Sequence, residues 1–169
     1  MKVRLAEMKD LDSILNIYNQ GIEDRIATLE METKKMDYIN NWFKERKEKY
    51  VVIVAEENEQ IVGWASINVY NSRCAYKGVG EIAIYIERAN RGKGIGKVLL
   101  RELEFRAKQY DFHKLLLFTF PFNKLGQGLY SKMGYREVGT FKNQGILDGK
   151  FVDVMAMEKL LVSDPAGIE

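Results

Sequence analysis

Cysteine, histidine and proline are scarce in this 169-residue sequence: Cys74 and His113 are the single examples of their kinds, and there are two prolines. A lone cysteine forms no intramolecular disulfide, and one histidine without a cysteine cluster supplies no zinc-ligand set. No metal is therefore expected. No apolar run approaches the ~20 residues that a membrane helix needs, and the longest, around Leu115 to Phe118, has the length of a strand. The opening MKVRLAEMKD lacks the apolar core of a secretory signal, so the expected location is cytoplasmic, with no membrane partner. The formal net charge of +2 is too small to point to nucleic acid as the main partner.

What is present is a folded composition, with 46% hydrophobic and 30% charged residues. The length suits one domain with a substantial core, expected over 1–162, and residues 163–169, which include Pro165, are expected to fray. Lys2 to Ala6 alternates like a short strand, after which Leu11, Ile14, Leu15, Tyr18 and Ile22 recur at helical spacing. A second helix is expected after Thr33, burying Ile39, Trp42 and Phe43. Tyr50 to Ala55 and Ile61 to Tyr70 read as a hairpin across the polar turn Glu56-Glu57-Asn58-Glu59. A strand from about Glu81 to Ile86 leads into a glycine-rich segment. Ile95, Leu99, Leu103, Ala107 and Tyr110 then mark one face of a long helix, followed by a strand from Lys114 to Phe120. Asn123 to Met133 reads as a short helix stopped by Gly134. Two last strands, about Tyr135 to Lys142 and Phe151 to Glu158, flank Asp148-Gly149, a type I′ hairpin signal.

The segment Arg91-Gly92-Lys93-Gly94-Ile95-Gly96 lies between a buried strand and an amphipathic helix. Its glycines let a ligand approach the backbone, and the helix start presents unpaired amides and a partial positive charge. With Arg91, Lys93 and Lys97 nearby, the local chemistry suits a pyrophosphate. A Walker loop needs Ser or Thr after Gly-Lys, and Gly92-Lys93 is followed by Gly94. A dinucleotide fold carries G-x-G-x-x-G after its first strand, whereas here G-x-G-x-G falls past mid-chain. A basic turn that merely caps a helix is the remaining alternative.

The surrounding residues decide among these. Arg91-Gly-x-Gly-x-Gly after a strand, then helix, strand, Leu129-Tyr130 and Gly134-Tyr135, resembles the GNAT acetyltransferase pattern. Ile17-Tyr18-Asn19, Ile22-Glu23, Ala27-Thr28, Trp42, Val54-Ala55-Glu56 and Val62-Gly63-Trp64-Ala65 resemble its phosphinothricin acetyltransferase-like branch. So do Arg73, Ala75-Tyr76, Glu81 with Tyr85, Asn123 and Val152-Asp153-Val154. The matches run from the first helix to the last strand.

The resemblance implies an α/β fold with a mixed, mostly antiparallel sheet, two splayed parallel strands, helices on both faces, and a homodimer. It implies acetyl-CoA as co-substrate, contacted by Ile84, Tyr85, Ile86, Arg91, Gly92, Lys93, Gly94, Ile95, Gly96, Lys97 and Asn123. An amide near Ile86 would polarise the thioester carbonyl. Glu81 would take the amine's proton, directly or through water, and Tyr130 would protonate the departing thiolate. Thr28, Glu30, Arg73 and Tyr76 are the expected acceptor contacts, with Arg73 suited to a carboxylate. The expected acceptor is the primary amine of a small amino acid or an analogue. A polyamine, a protein amino terminus, or non-catalytic acyl-CoA binding are the alternatives. The sequence departs from the branch in its last hairpin, where Leu147-Asp148-Gly149 and Phe151 replace Lys-His-Gly and Trp. Losing the Lys and His weakens the case for a strongly anionic acceptor, and Asp148 would favour a cation or simply form the turn.

Overall fold

The computed structural model describes residues 1–162, so the frayed tail expected at 163–169 lies outside the described residues. The chain builds β1 (Lys2–Leu5), α1 (Leu11–Glu23), α2 (Met36–Lys44), β2 (Val52–Glu57), β3 (Gln60–Val69) and β4 (Val79–Ile86). There follow α3 (Ile95–Gln109), β5 (Lys114–Thr119), α4 (Lys124–Lys132), β6 (Arg136–Leu147) and β7 (Lys150–Leu160). One seven-stranded sheet runs in the order β1-β2-β3-β4-β5-β7-β6. Among the described residues only β4 and β5 are parallel neighbours. The expected α/β architecture is therefore the observed one. No helix among the described residues is long and apolar enough to cross a membrane.

Strand alternation divides the core into two layers. Ile53, Ala55, Ala65, Ile67, Ile82, Leu115 and Leu117 lie under α3, which buries Ile95, Leu99, Leu100, Leu103 and Ala107 against them. On the opposite face Val52, Val54 and Trp64 meet Leu11, Ile14 and Ile17 of α1 and Ile39 of α2. Arg4 ties three elements together. Its guanidinium donates to both carboxylate oxygens of Asp10 at 2.7 and 2.9 Å and to Glu56 at 2.8 Å. Asp10 is buried, and the hydrogen bond from Arg4 holds its carboxyl below the usual carboxylate range.

Two strands exceed the sequence expectation. β4 begins at Val79 because Gly80 fits where a side chain would not: a Cβ there would lie 2.7 Å from Ile67 Cγ2. Glycine is a poor strand former, which hides this start from the pattern. β6 runs on to Leu147 through two irregularities, one between Glu137 and Gly139 and one between Phe141 and Gly145. A bulge resets the alternation, and the expected strand stops at Lys142, inside the second break. Asp148 and Gly149 have φ of +49° and +77° and join Leu147 to Lys150 as the expected two-residue turn.

The fully buried face of α3 is the seam on which both the sheet and the glycine segment rest. Leu103→Ala should lower unfolding free energy by about 2–5 kcal/mol in urea denaturation followed by circular dichroism. A loss below about 1 kcal/mol would show that α3 does not carry the core.

Candidate active site

The site begins with a sheet that stops pairing. β4 and β5 are in register only over Val79–Glu81 against Lys114–Leu116, although β4 continues to Ile86 and β5 to Thr119. The Glu87 amide donates to the Val62 carbonyl at 2.9 Å, and this fixes the phase of the β3–β4 ladder. In an antiparallel ladder backbone groups alternate sides, so Glu81, Ala83 and Tyr85 bond to β3 while Ile82, Ile84 and Ile86 turn theirs toward β5. Past Glu81 no strand meets them. The amides of Ile84 and Ile86 therefore face a cleft of about 590 Å³ between the splayed strands.

At one end of this cleft lies the glycine segment, and its three glycines do different things. Gly92 and Gly94 have φ of +76° and +86°, a left-handed backbone that other residues adopt only with strain. Gly96 allows close contact with α4, since a Cβ there would lie 2.8 Å from Leu129 Cδ2. Gly94 is the N-cap of α3 and offers no side chain to the first-turn amides, which leaves them for an anion. Among charged residues the cleft is lined by Arg91, Lys97, Lys124 and Lys132 against the single carboxylate of Glu81. Arg91 has a second commitment. Its guanidinium donates to Asp24 at 2.6 Å and to the Ile86 carbonyl at 3.3 Å, clamping the segment onto the end of α1. Arg88 also pairs with Asp24, and together Arg88 and Arg91 hold that carboxyl below its usual range. The anion site thus rests on backbone amides and lysines more than on Arg91.

Glu81 lies where pairing ends, on the α1–α2 face of the sheet by alternation. Burial raises its carboxyl above the ordinary range. Tyr130, on α4, is buried among core residues yet lines the cleft, and Tyr85 lines it as well. Burial pushes both phenols well above their ordinary range, so both stay protonated at neutral pH. Tyr85 stacks on Trp64 at 4.9 Å and meets Tyr18 edge-on at 5.1 Å, which fixes the ring. Asn123 caps α4, its Oδ1 accepting from the Gly126 amide at 3.0 Å; only its NH₂ is left for a ligand.

Of the residues singled out from sequence, Glu81, Ile84, Tyr85, Ile86, Arg91, Gly92, Gly94, Ile95, Gly96, Lys97, Asn123 and Tyr130 converge on this cleft. Lys93 does not line it and points its amine to Asn90 Oδ1 at 3.1 Å. Thr28 and Glu30 sit behind the wall, Thr28 close to the phenols of Tyr18 and Tyr85 and accepting from the Glu30 amide at 3.2 Å. Arg73 and Tyr76 are exposed in the β3–β4 connection, outside the lining; Tyr76 meets Tyr70 edge-on at 5.5 Å. Asp148 is a turn residue, as one of its two sequence readings had it. Its carboxylate is not free for a cation, because Arg25 donates to both oxygens at 2.9 and 3.3 Å.

Ala27, expected with Thr28 and Glu30 as a substrate wall, lines the cleft, whereas sequence reasoning passed over Gly21 in α1, Ile26 just after it, and Phe118 and Thr119 on β5, which line it too. Gly21 carried a usable signal. A glycine inside a helical pattern marks close approach, and a Cβ here would lie 3.0 Å from the Tyr85 ring.

Comparison with known proteins agrees with this geometry. The model of the acetyltransferase (GNAT) family matches residues 11–135. YwnH of Bacillus subtilis (strain 168) is 35% identical over 162 residues, covering 95% of this chain and 99% of the relative. The L-methionine sulfoximine/L-methionine sulfone acetyltransferase of Salmonella typhimurium is 26% identical over 159 residues, covering 94% and 93%. The crystal structure of a phosphinothricin acetyltransferase from Sinorhizobium meliloti in complex with acetyl-CoA superposes with a TM-score of 0.90 at 27% identity, covering 99% of this chain and 94% of that one. A matching family model over most of the chain, a relative at 35% identity along its length and a shared splayed-strand fold lead to one conclusion: the chain is an N-acetyltransferase of the GNAT family, related to the phosphinothricin and methionine sulfoximine acetyltransferases.

Proposed function

We propose that this enzyme transfers the acetyl group of acetyl-CoA directly to the primary amine of a small amino acid or amino-acid analogue. The observation that carries the reading is the unpaired edge of β4, which runs from an anion-binding helix start to a half-buried carboxylate on the opposite face. The relative from Salmonella typhimurium acts on amino-acid analogues by its name, which supports the acceptor class.

The residues divide the work as follows. The amides of Gly92 to Lys97, with Lys97 and Lys124 beside them, hold the pyrophosphate. The amides of Ile84 and Ile86 bond the extended arm of acetyl-CoA as a missing strand would, and one of them polarises the thioester carbonyl. An amine is protonated at neutral pH and attacks only after losing a proton. Glu81 accepts that proton, directly or through water, and its raised proton affinity suits the task. The amine nitrogen bonds to the acetyl carbon, the carbon–sulfur bond breaks, and Tyr130 supplies the proton to the departing thiolate. Arg73 and Tyr76, exposed ahead of β4 and outside the lining, would hold the acceptor's carboxylate at the cleft's entrance, a role supported by the charge of Arg73 alone. Thr28 and Glu30 shape the far wall. The functional unit is a homodimer, supported by the exposed apolar side chains Phe141, Ile146 and Phe151 on the terminal hairpin.

The central test follows CoA thiol release with a panel of amino acids, their sulfoximine and sulfone analogues, polyamines and amino-terminal peptides. Turnover concentrated on the amino-acid group supports the reading, and turnover confined to polyamines or peptides overturns it. Glu81→Gln should reduce kcat/KM at neutral pH by about 100-fold or more while the KM for acetyl-CoA stays within about twofold. The sign of the pH effect follows from burial. Below its raised pKa Glu81 is protonated and cannot accept a proton, so kcat/KM should climb through an apparent pKa above the ordinary 4.5. Glu81→Gln should abolish that limb. Tyr130→Phe should lower kcat by about tenfold or more with acetyl-CoA binding intact, as read by thermal shift; an unchanged kcat would leave Tyr130 as a packing residue.

A further inference from the structure

The acceptor side of the cleft carries a contact that the family pattern does not predict. Glu81 faces the α1–α2 side of the sheet, and the other face is filled by α3 and α4, so the amine must come in from the α1–α2 side. The connection from α1 to α2 borders it through Ile26 and Ala27, which line the cleft, and the far end of the β6–β7 hairpin, outside the lining, packs against that connection.

The hairpin reaches there because of how it is built. β5 ends at Thr119 opposite Met155, so Lys150 to Val154 of β7 pair only with β6 and overhang the splayed gap. The bulge at 142–144 bends this overhang, and Asp153 pins it by accepting from the Asn143 amide at 2.8 Å, with Asn143 at φ +50°. Beneath it Phe120, Leu147 and Val154 form a separate small core. Two contacts then join hairpin and connection. Leu29 fills the space over Gly145, where a Cβ would lie 2.5 Å from Leu29 Cδ2. Arg25 bonds both oxygens of Asp148 and, with the same guanidinium, the carbonyls of Ile22 and Met31 at 2.9 Å each.

We propose that Arg25 and Asp148 form a clip that closes the acceptor mouth and, by cancelling each other's charge there, determines which amines the enzyme accepts. This rests on the acetyl-transfer reading above. A bidentate pair fixes the two walls relative to each other, and Arg25 fixes its own connection through the two carbonyls. With both partners present the pair adds no net charge to the mouth. Removing either partner exposes the charge of the other, so the two single variants should shift acceptor preference in opposite directions. A contact that merely stiffened the loop would shift both alike.

The test measures kcat/KM for an acidic amino acid, a neutral one and a diamine. Arg25→Met exposes the Asp148 carboxylate and should move the diamine-to-acidic ratio up by about fivefold, the scale of one exposed charge interaction. Asp148→Asn keeps a residue that tolerates the left-handed turn and exposes Arg25, so the ratio should fall by a similar factor. The double variant R25D/D148R should return the ratio to the wild-type value, and the KM for acetyl-CoA should hold throughout. Gly145→Val displaces Leu29 without touching either charge and should raise acceptor KM for all three amines together. Equal ratios in both single variants, with folding confirmed by circular dichroism, would overturn the proposal. Failure of the underlying reading looks different: the wild type itself would then turn over none of the amines while still gaining thermal stability from acetyl-CoA.

Discussion

The structure depends on a pairing that is begun and not completed. Three residues of β4 and three of β5 hold the two halves of the sheet together, and past Glu81 the strands part. An unpaired backbone edge in the interior is costly unless something satisfies it. Here the cost is tolerable because the edge faces a cleft where water or an extended ligand arm can take the place of the missing strand. The layers on either side keep the strands from closing. α3 seals one face with fully buried leucines, and Tyr85, Trp64 and Tyr18 lock the other into a rigid aromatic cluster. The opening is thus a property of the whole sheet, held from both sides.

From that opening the chemistry follows in opposite directions. Toward the C-terminal end of β4 the helix start of α3 collects anion-binding amides, and Arg91 fastens the segment to Asp24 on α1. Toward the point of splaying, the same strand carries a carboxylate whose surroundings favour the protonated form. One strand therefore leads from the carboxylate of Glu81 to Ile86, after which the chain enters the glycine segment at the start of α3. The Glu81 carboxylate and the unpaired amides of Ile84 and Ile86 share that strand, which fixes their separation as a loop would not.

Along the chain, the helices and most strands were legible because their apolar residues recur at clean periods, as in Leu99, Leu103 and Ala107 of α3. The misread stretches share a cause. Gly80 and the two bulges of β6 break the alternation on which strand reading depends, and two of the three meet a contact from another strand: Ile67 against Gly80, Asp153 against Asn143. In the site, Glu81, Tyr130 and the glycine segment were legible because they are motif residues. Phe118 and Thr119 were not, since their place in the lining comes from where β5 happens to lie.

The sequence by itself determined the family, the glycine-rich helix start and the turn at Asp148-Gly149, because these rest on local spacing and on residue types whose physics is short-ranged. Tertiary structure alone decided what the charges do. Arg91 looked like a phosphate ligand and is held by Asp24; Asp148 looked like a free carboxylate and is held by Arg25, 123 positions away. An ion pair depends on distance in space, and a chain that folds back across a bulged hairpin brings together charges that no spacing along the sequence relates.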